Sequence, residues 1–257
     1  MKSVLVLLTG AAALLAAPAY AQTTVTPSPA PGASTAAAPA PAPAPPAPDL
    51  VIAYNVGVQS DYVFRGVSQT NNNPSAFAGI DLTYKSLFYA GAWTSNLNFK
   101  PFGDTHTNEE VDLYGGIRPV VNDFNFDFGV QYYGYLNQPN NFPAVDYTEV
   151  YAKVTHAFGP ATLGASVYYS PKFTGGTGHA TYTELNAAYT INPKWSISGL
   201  VGHQAIEKAS DYTTWNAGVT YALTDHIGID LRYYDTDSHS FGEVYKSRAV
   251  VALKATF

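Results

Sequence analysis

From Asp49 to Phe257 apolar and polar positions alternate with period two, the pattern of extended strands with one oily and one wet face. Twelve such segments can be read. The first is near 50–62, with Ile52, Tyr54, Val56 and Val58 on its oily face. The second is near 76–85, carrying Ala76, Ala78, Ile80, Leu82 and Tyr84. The third is near 86–96, and its face is ambiguous because Phe88 competes with Leu87, Tyr89 and Trp93. Reading Lys85-Ser86 as a two-residue hairpin loop sets Tyr84 opposite Leu87. That register puts Leu87, Tyr89, Gly91 and Trp93 on the oily side. The fourth and fifth segments lie near 110–118 and 124–136. In the fifth, Phe124, Phe126, Phe128, Val130 and Tyr132 alternate with Asn125, Asp127, Gly129, Gln131 and Tyr133. Six more segments follow near 147–158, 161–170, 180–191, 195–204, 212–223 and 226–235. The twelfth, Ser247 to Phe257, runs to the end of the sequence on Ala249, Val251, Leu253, Ala255 and Phe257. Its eleven residues compare with the roughly 9–11 that a tilted strand needs to cross a bilayer.

The connections alternate as well. After even segments they are short: Lys85-Ser86, Pro119 to Asp123, Gly159-Pro160, Asn192 to Lys194 and Thr224-Asp225. After odd segments several are longer and polar, such as Val63 to Ser75, Leu97 to Glu109, Leu136 to Asp146 and Asp235 to Lys246. Short turns on one side and long loops on the other mark an outer-membrane barrel. A soluble β-sandwich also alternates, but it does not explain one-sided loop lengths. In hydrocarbon every backbone N–H and C=O must be paired within the protein, and a closed sheet leaves no edge. The expected fold is therefore all-β, a closed antiparallel transmembrane barrel of about twelve strands over residues 49–257. Its oily residues face lipid and its wet face lines the lumen.

The first 48 residues differ. Lys2 precedes the apolar run Val4 to Ala17, and Ala19-Tyr20-Ala21 offers a small-residue cleavage site, so residues 1–21 read as a secretory signal peptide. Gln22 to Pro48 is built from Ala, Pro, Thr and Ser and reads as a disordered periplasmic linker. Cysteine is absent, so no disulfide holds the exported chain. The formal charge of −6 becomes −7 once Lys2 is removed with the leader. Only 12% of residues are charged against 14% aromatic, and 20 are tyrosines. That balance suits a lipid-facing wall with interfacial belts. No basic cluster suggests nucleic acid.

Ser60 to Thr70 (SDYVFRGVSQT), then Tyr89-Ala90-Gly91-Ala92-Trp93, Ser95-Asn96 and Asp112-Leu113-Tyr114-Gly115-Gly116 resemble the TorF-type family of proteobacterial outer-membrane porins, conserved hypothetical proteins. The resemblance spans residues 49–257, with FRG-x-S-Q its most specific part. It implies an outer-membrane location and passive transport, and it implies no substrate.

Strand parity points the acids Asp61, Asp81, Asp112, Asp127, Glu149, Glu184 and Asp230 into the lumen, with the bases Arg118, Lys153, Arg232, Arg248 and Lys254. Seven against five suits water and small polar solutes, with at most a weak cation preference. The same charges, paired across strands, would plug a narrow lumen, and twelve strands lie between the filled eight and the open sixteen. Arg118 and Asp127 flank the Pro119–Asp123 turn. With Arg118 opposite Asn125, Asp127 is its diagonal neighbour and a cross-strand ion pair is expected. Asp61 and Arg65 sit at the mouth. Arg65 reads either as a cation that sets selectivity or orders the loop, or as a loop arginine bonded to carbonyls. Phe257 reads as the signal for the barrel assembly machinery and as an interfacial anchor.

The expected function is a porin for small polar solutes or ions. The alternative is a structural barrel with a plugged lumen that binds a partner or lipopolysaccharide, and a hydrolase is the remote third. The chain has no G-x-S-x-G element, and its six histidines show no metal-ligand spacing. Ser238-His239-Ser240 places Ser beside His in a loop, and His203 is the least unsuited base, but neither makes a triad. No enzyme, cofactor or metal is expected.

Overall fold

The computed structural model describes residues 49–140 and 143–257. The leader and linker expected over residues 1–48 lie outside the described residues. Twelve long strands follow one another: β1 (Leu50–Gln59), β2 (Ser75–Tyr84), β3 (Phe88–Asn96), β4 (Glu109–Ile117), β5 (Phe124–Leu136), β6 (Tyr147–Phe158), β7 (Ala161–Phe173), β8 (Gly178–Asn192), β9 (Trp195–Ile206), β10 (Tyr212–Ala222), β11 (Ile227–Thr236) and β12 (Arg248–Thr256). Each pairs antiparallel with its sequence neighbours, and β1 pairs with β12, so the sheet closes on itself. The closing ladder runs from Asn55↔Thr256 to Gln59↔Ala252, and Phe257 adds reciprocal backbone bonds with Tyr54 at 2.9 Å.

The outer wall is apolar. Ile52, Tyr54, Val56 and Val58 of β1, Val130 and Tyr132 of β5, and Leu231 and Tyr233 of β11 are all exposed. The short turns follow from local sequence. Asn122 and Asp123 both take positive φ (49° and 67°), and two residues, Val120–Val121, pair back onto Phe124–Asn125. This is the geometry of a tight hairpin.

Two expectations need correction. The β2–β3 turn is longer than read. Leu87 N–H bonds the Tyr84 carbonyl at 3.1 Å, and Tyr84 pairs with Phe88, leaving three residues in the loop. One extra residue reverses parity. Tyr89, Trp93 and Ser95 are therefore buried inside, and Phe88 is exposed outside. Loop lengths are also less one-sided than expected. β7 and β8 extend well past their predicted ends, so only 174–177 separates them.

The long-loop half of the lumen is filled. The loop over 60–74 turns inward as a hairpin, Val63–Phe64 against Val67–Ser68. Arg65 (φ 45°) and Gly66 (φ 83°) form its tip. Phe64 and Val67 pack there with Trp93, Tyr133 and Tyr147, and with Phe99 and Tyr245 from two other long loops. The barrel thus has an apolar core inside, where parity predicted only a wet wall.

Candidate functional site

The inner hairpin spans the lumen. It leaves the wall between β1 and β2, and its tip reaches strands on the far side of the ring. The Arg65 guanidinium donates to both Glu149 oxygens of β6, at 2.9 and 2.7 Å, and to Gln204 Oε1 of β9 at 2.8 Å. Tyr133 O–H donates to the same Glu149 carboxylate at 2.9 Å. The guanidinium also lies over the rings of Phe64, Tyr168 and Tyr182, at 4.6, 5.0 and 4.3 Å. Arg65 and Glu149 side chains are only 4% and 1% exposed, so this fork is closed to bulk water. A bidentate guanidinium–carboxylate pair fixes orientation as well as charge, and lysine could not reproduce it. Gly66 is required beside it. A Cβ there would sit 2.1 Å from Thr214 Oγ1, in a backbone region that other residues avoid.

The hairpin's base is tied at the wall. Asp61 accepts from the Ser68 and Thr70 hydroxyls at 2.6 and 2.7 Å and pairs with Arg248 at 3.1 Å. Arg248 also donates to Asn72 Oδ1 and to carbonyls of the last long loop.

Behind the hairpin lies a second polar group. Glu110 and Asp112 of β4 are fully buried. Tyr135 O–H reaches one Glu110 oxygen at 3.3 Å, and Gln131 Nε2 donates to one Asp112 oxygen at 3.0 Å. Glu110 Oε2, Asp112 Oδ1 and the hydroxyls of Tyr62 and Tyr147 have no hydrogen-bond partner among the described residues. Burial, reinforced by Glu110 and Asp112, holds the Tyr62 phenol well above its usual value, so it remains a neutral O–H.

The short-turn half of the lumen is wetter. Arg118 pairs with Asp127 at 3.3 Å, with side chains 44% and 18% exposed. The 117↔128 and 120↔125 pairings set the two directly opposite, where a diagonal contact was expected. Arg118 stacks 3.8 Å over the Tyr89 ring, and Tyr89 O–H donates to Asp127 at 2.5 Å and meets Tyr151 O–H. Lys153 stands over Tyr151 and Tyr168 at 4.4 and 5.3 Å. Arg232 is held by Asp230, Asn216 and Ser198. Asp81 accepts from Tyr114 O–H at 2.7 Å, and Glu184 from Tyr182 O–H at 3.1 Å. Lys254 lies on the same inward parity, opposite Gly57 and Gly228.

The structure therefore splits the sequence-predicted set. Asp61, Arg65, Asp112, Glu149 and Arg248 belong to the filled half, and the remaining charges to the wetter half, where Arg232 is nonetheless buried, its side chain 4% exposed like that of Arg65. Glu110, Gln204 and the inward tyrosines were missed. Glu110 shares the parity of Asp112 and was legible. Gln204 pairs with a loop residue whose destination no periodicity encodes. Phe257 is exposed at the barrel's end and stacks on His226, with centroids 5.6 Å apart. His203 points outward and contacts Thr213, while His239 pairs with Asp235 at 2.6 Å. Among the described residues no three His, Cys, Asp or Glu side chains are grouped to hold a metal.

Residues 43–257 match a family described as a bacterial protein of unknown function, Gcw_chp. The fold is similar to the KdgM porin, with a TM-score of 0.55 at 10% identity, covering 80% of this chain and 98% of that one. A second structure of that porin, in complex with disordered oligogalacturonate, gives the same values. The NanC porin gives a TM-score of 0.54 at 11% identity, covering 80% and 99%. No curated protein matches the sequence. At these identities the likeness is one of fold.

Proposed function

We propose that this chain, which belongs to the Gcw_chp family of bacterial proteins of unknown function, is an outer-membrane porin for small polar solutes or ions, with its first long loop as the constriction. The single observation that carries this reading is the Arg65–Glu149 fork inside a charged lumen. It sits at the boundary between a filled half and a half whose side chains remain partly exposed. A purely structural barrel has no need for a strap pinned across its interior by one buried ion pair. The apolar outer wall supports the membrane, because a closed sheet is one of the few backbones that hydrocarbon tolerates. The porin folds of its structural neighbours and the TorF-type resemblance at Ser60–Thr70 support the outer membrane. On this reading residues 1–21 direct export, residues 22–48 are a periplasmic linker, residues 49–257 are the barrel, the long loops face outward beside lipopolysaccharide, and Phe257 is the assembly signal.

Selectivity follows from which charges a solute can reach. In the wetter half Asp81, Asp127, Glu184 and Asp230 face Arg118, Lys153, Arg232 and Lys254, an even balance. The seven-to-five acidic excess read from the sequence resides in carboxylates held under the loop, so the pore discriminates little by charge. The purified barrel in a planar bilayer, under a salt gradient, should give conductance steps with a reversal potential near zero. The filled half favours a second reading, a plugged structural or partner-binding barrel. Electrical silence of both the native protein and an Arg65→Gln variant would select that reading instead.

A further inference from the structure

In the wetter half of the lumen some charges neutralise one another and others do not. Arg118 pairs with Asp127 at 3.3 Å and Arg232 with Asp230 at 3.1 Å. Lys153, Lys254, Asp81 and Glu184 form no ion pair with any described residue. Two of these unpaired charges share a rung of the sheet. Lys153 of β6 lies opposite Ser166 of β7, and Ser166 lies opposite Glu184 of β8. Two strand spacings put the Lys153 and Glu184 backbones about 10 Å apart. Each charge is held back from the other. Lys153 stands over the Tyr151 and Tyr168 rings at 4.4 and 5.3 Å. Glu184 accepts from Tyr182 O–H at 3.1 Å and from Asn186 Nδ2 at 3.2 Å. Asp127, directly opposite Lys153 on β5, is taken by Arg118 and by the Tyr89 hydroxyl. Lys254 on β12 and Asp81 on β2 lie half the ring away from β6 and β8, on the facing wall. Lys153, Ser166 and Glu184 are all half-buried, so a cation and an anion stand partly exposed with one small hydroxyl side chain between them. The Tyr168 ring also carries Arg65, at 5.0 Å, which puts this rung directly below the fork.

We infer, building on the porin reading, that this rung is a binding subsite for small zwitterionic solutes. Lys153 takes the solute's carboxylate, Glu184 takes its ammonium, and the Ser166 hydroxyl between them donates to the carboxylate. A solute with a single charge meets its own sign at one end of the rung. An uncharged solute leaves both ends without a counter-charge. A solute bearing an ammonium and a carboxylate satisfies both ends at once, with charge-assisted hydrogen bonds at each. Binding raises its concentration beside the constriction, so a dilute zwitterion crosses faster than a neutral solute of similar size. The pore thus selects by charge pattern where its net charge discriminates little.

The test is uptake of radiolabelled 4-aminobutyrate, at micromolar concentration, into proteoliposomes holding the purified full barrel. The uncharged polyol erythritol is the comparison solute, and protein-free liposomes give the background. Two solvent-accessible ion pairs, each of modest strength, amount to a preference on the order of tenfold. The native barrel should show that ratio of 4-aminobutyrate to erythritol uptake. Lys153→Met and Glu184→Gln should each abolish the preference. Because both solutes are read on one preparation, the ratio does not depend on how much of either variant folds. Three results would overturn the inference and leave the porin reading standing: equal uptake of the two solutes by the native barrel, a preference that survives both substitutions, or a preference lost in only one variant, the mark of a site for a single charge. Uptake of neither solute would overturn the porin reading, and the inference with it.

Discussion

At the scale of single residues, the Arg65–Glu149 fork governs the strap. Removing Arg65 leaves Glu149 buried with only Tyr133 as a donor, and breaking a buried pair from one side costs about 3–5 kcal/mol. Glu149→Gln strands Arg65 in the same way. Both variants should therefore release the hairpin. The expected outcome is faster amide exchange over residues 60–74 and larger conductance steps, with the outer strands unaffected. The double variant Arg65→Gln with Glu149→Gln should recover part of the loss, since no charge is then buried alone. Additive losses in that cycle would show that the two residues act independently. Gly66→Ala tests the same point sterically. It places a methyl 2.1 Å from Thr214 Oγ1 at a φ of 83°, and it should loosen the hairpin by about 1–3 kcal/mol, as a non-glycine residue forced into strained backbone does. Much of this was hidden in the sequence. Arg65-Gly66 between Val63-Phe64 and Val67-Ser68 carries the signature of a two-residue hairpin, but nothing in that signature says that the hairpin turns inward.

At the scale of elements, the strands were legible because lipid on one side and lumen on the other impose strict alternation. Strand β3 was the exception. Its inner and outer faces both carry aromatics, so its orientation hung on the length of one turn, and Leu87 joining the loop reversed it. The three tryptophans make this measurable. Trp93 is 6% exposed and faces inward, while Trp195 and Trp215 are exposed on the outer wall. A Trp195→Phe, Trp215→Phe variant in brominated lipid should show little quenching of its remaining Trp93. Strong quenching would return β3 to the orientation expected from a two-residue turn. The end of β12 gives a second prediction. Phe257 exchanges backbone bonds with Tyr54 across the closing seam, so deleting it removes both the last rung and the proposed assembly signal. Outer-membrane levels of heat-modifiable barrel should fall, and unchanged levels would dismiss the assembly role.

At the scale of the whole molecule, two cores share one wall. The outer surface is apolar because the surrounding solvent is hydrocarbon, and the inner core exists because long loops turn back into the lumen and carry Phe64, Phe99 and Tyr245 with them. Reading charges by parity alone treats the lumen as one compartment. The fold divides it, and on the proposed porin reading the division removes the acidic excess from the solute's path. The central claim is that the inner hairpin obstructs that path. Since the chain has no cysteine, a single engineered pair can test it directly. Gly66 and Thr214 face each other across the tip, with the two Cβ positions 2.8 Å apart, and a disulfide needs only a slight retreat to about 3.8 Å. The measurement is single-channel conductance of Gly66→Cys, Thr214→Cys before and after reduction. The account predicts small steps like those of the native barrel while the hairpin is locked to the wall, and larger conductance steps once reductant frees it. Equal conductance in the oxidised and reduced states would place the solute path elsewhere and contradict the account.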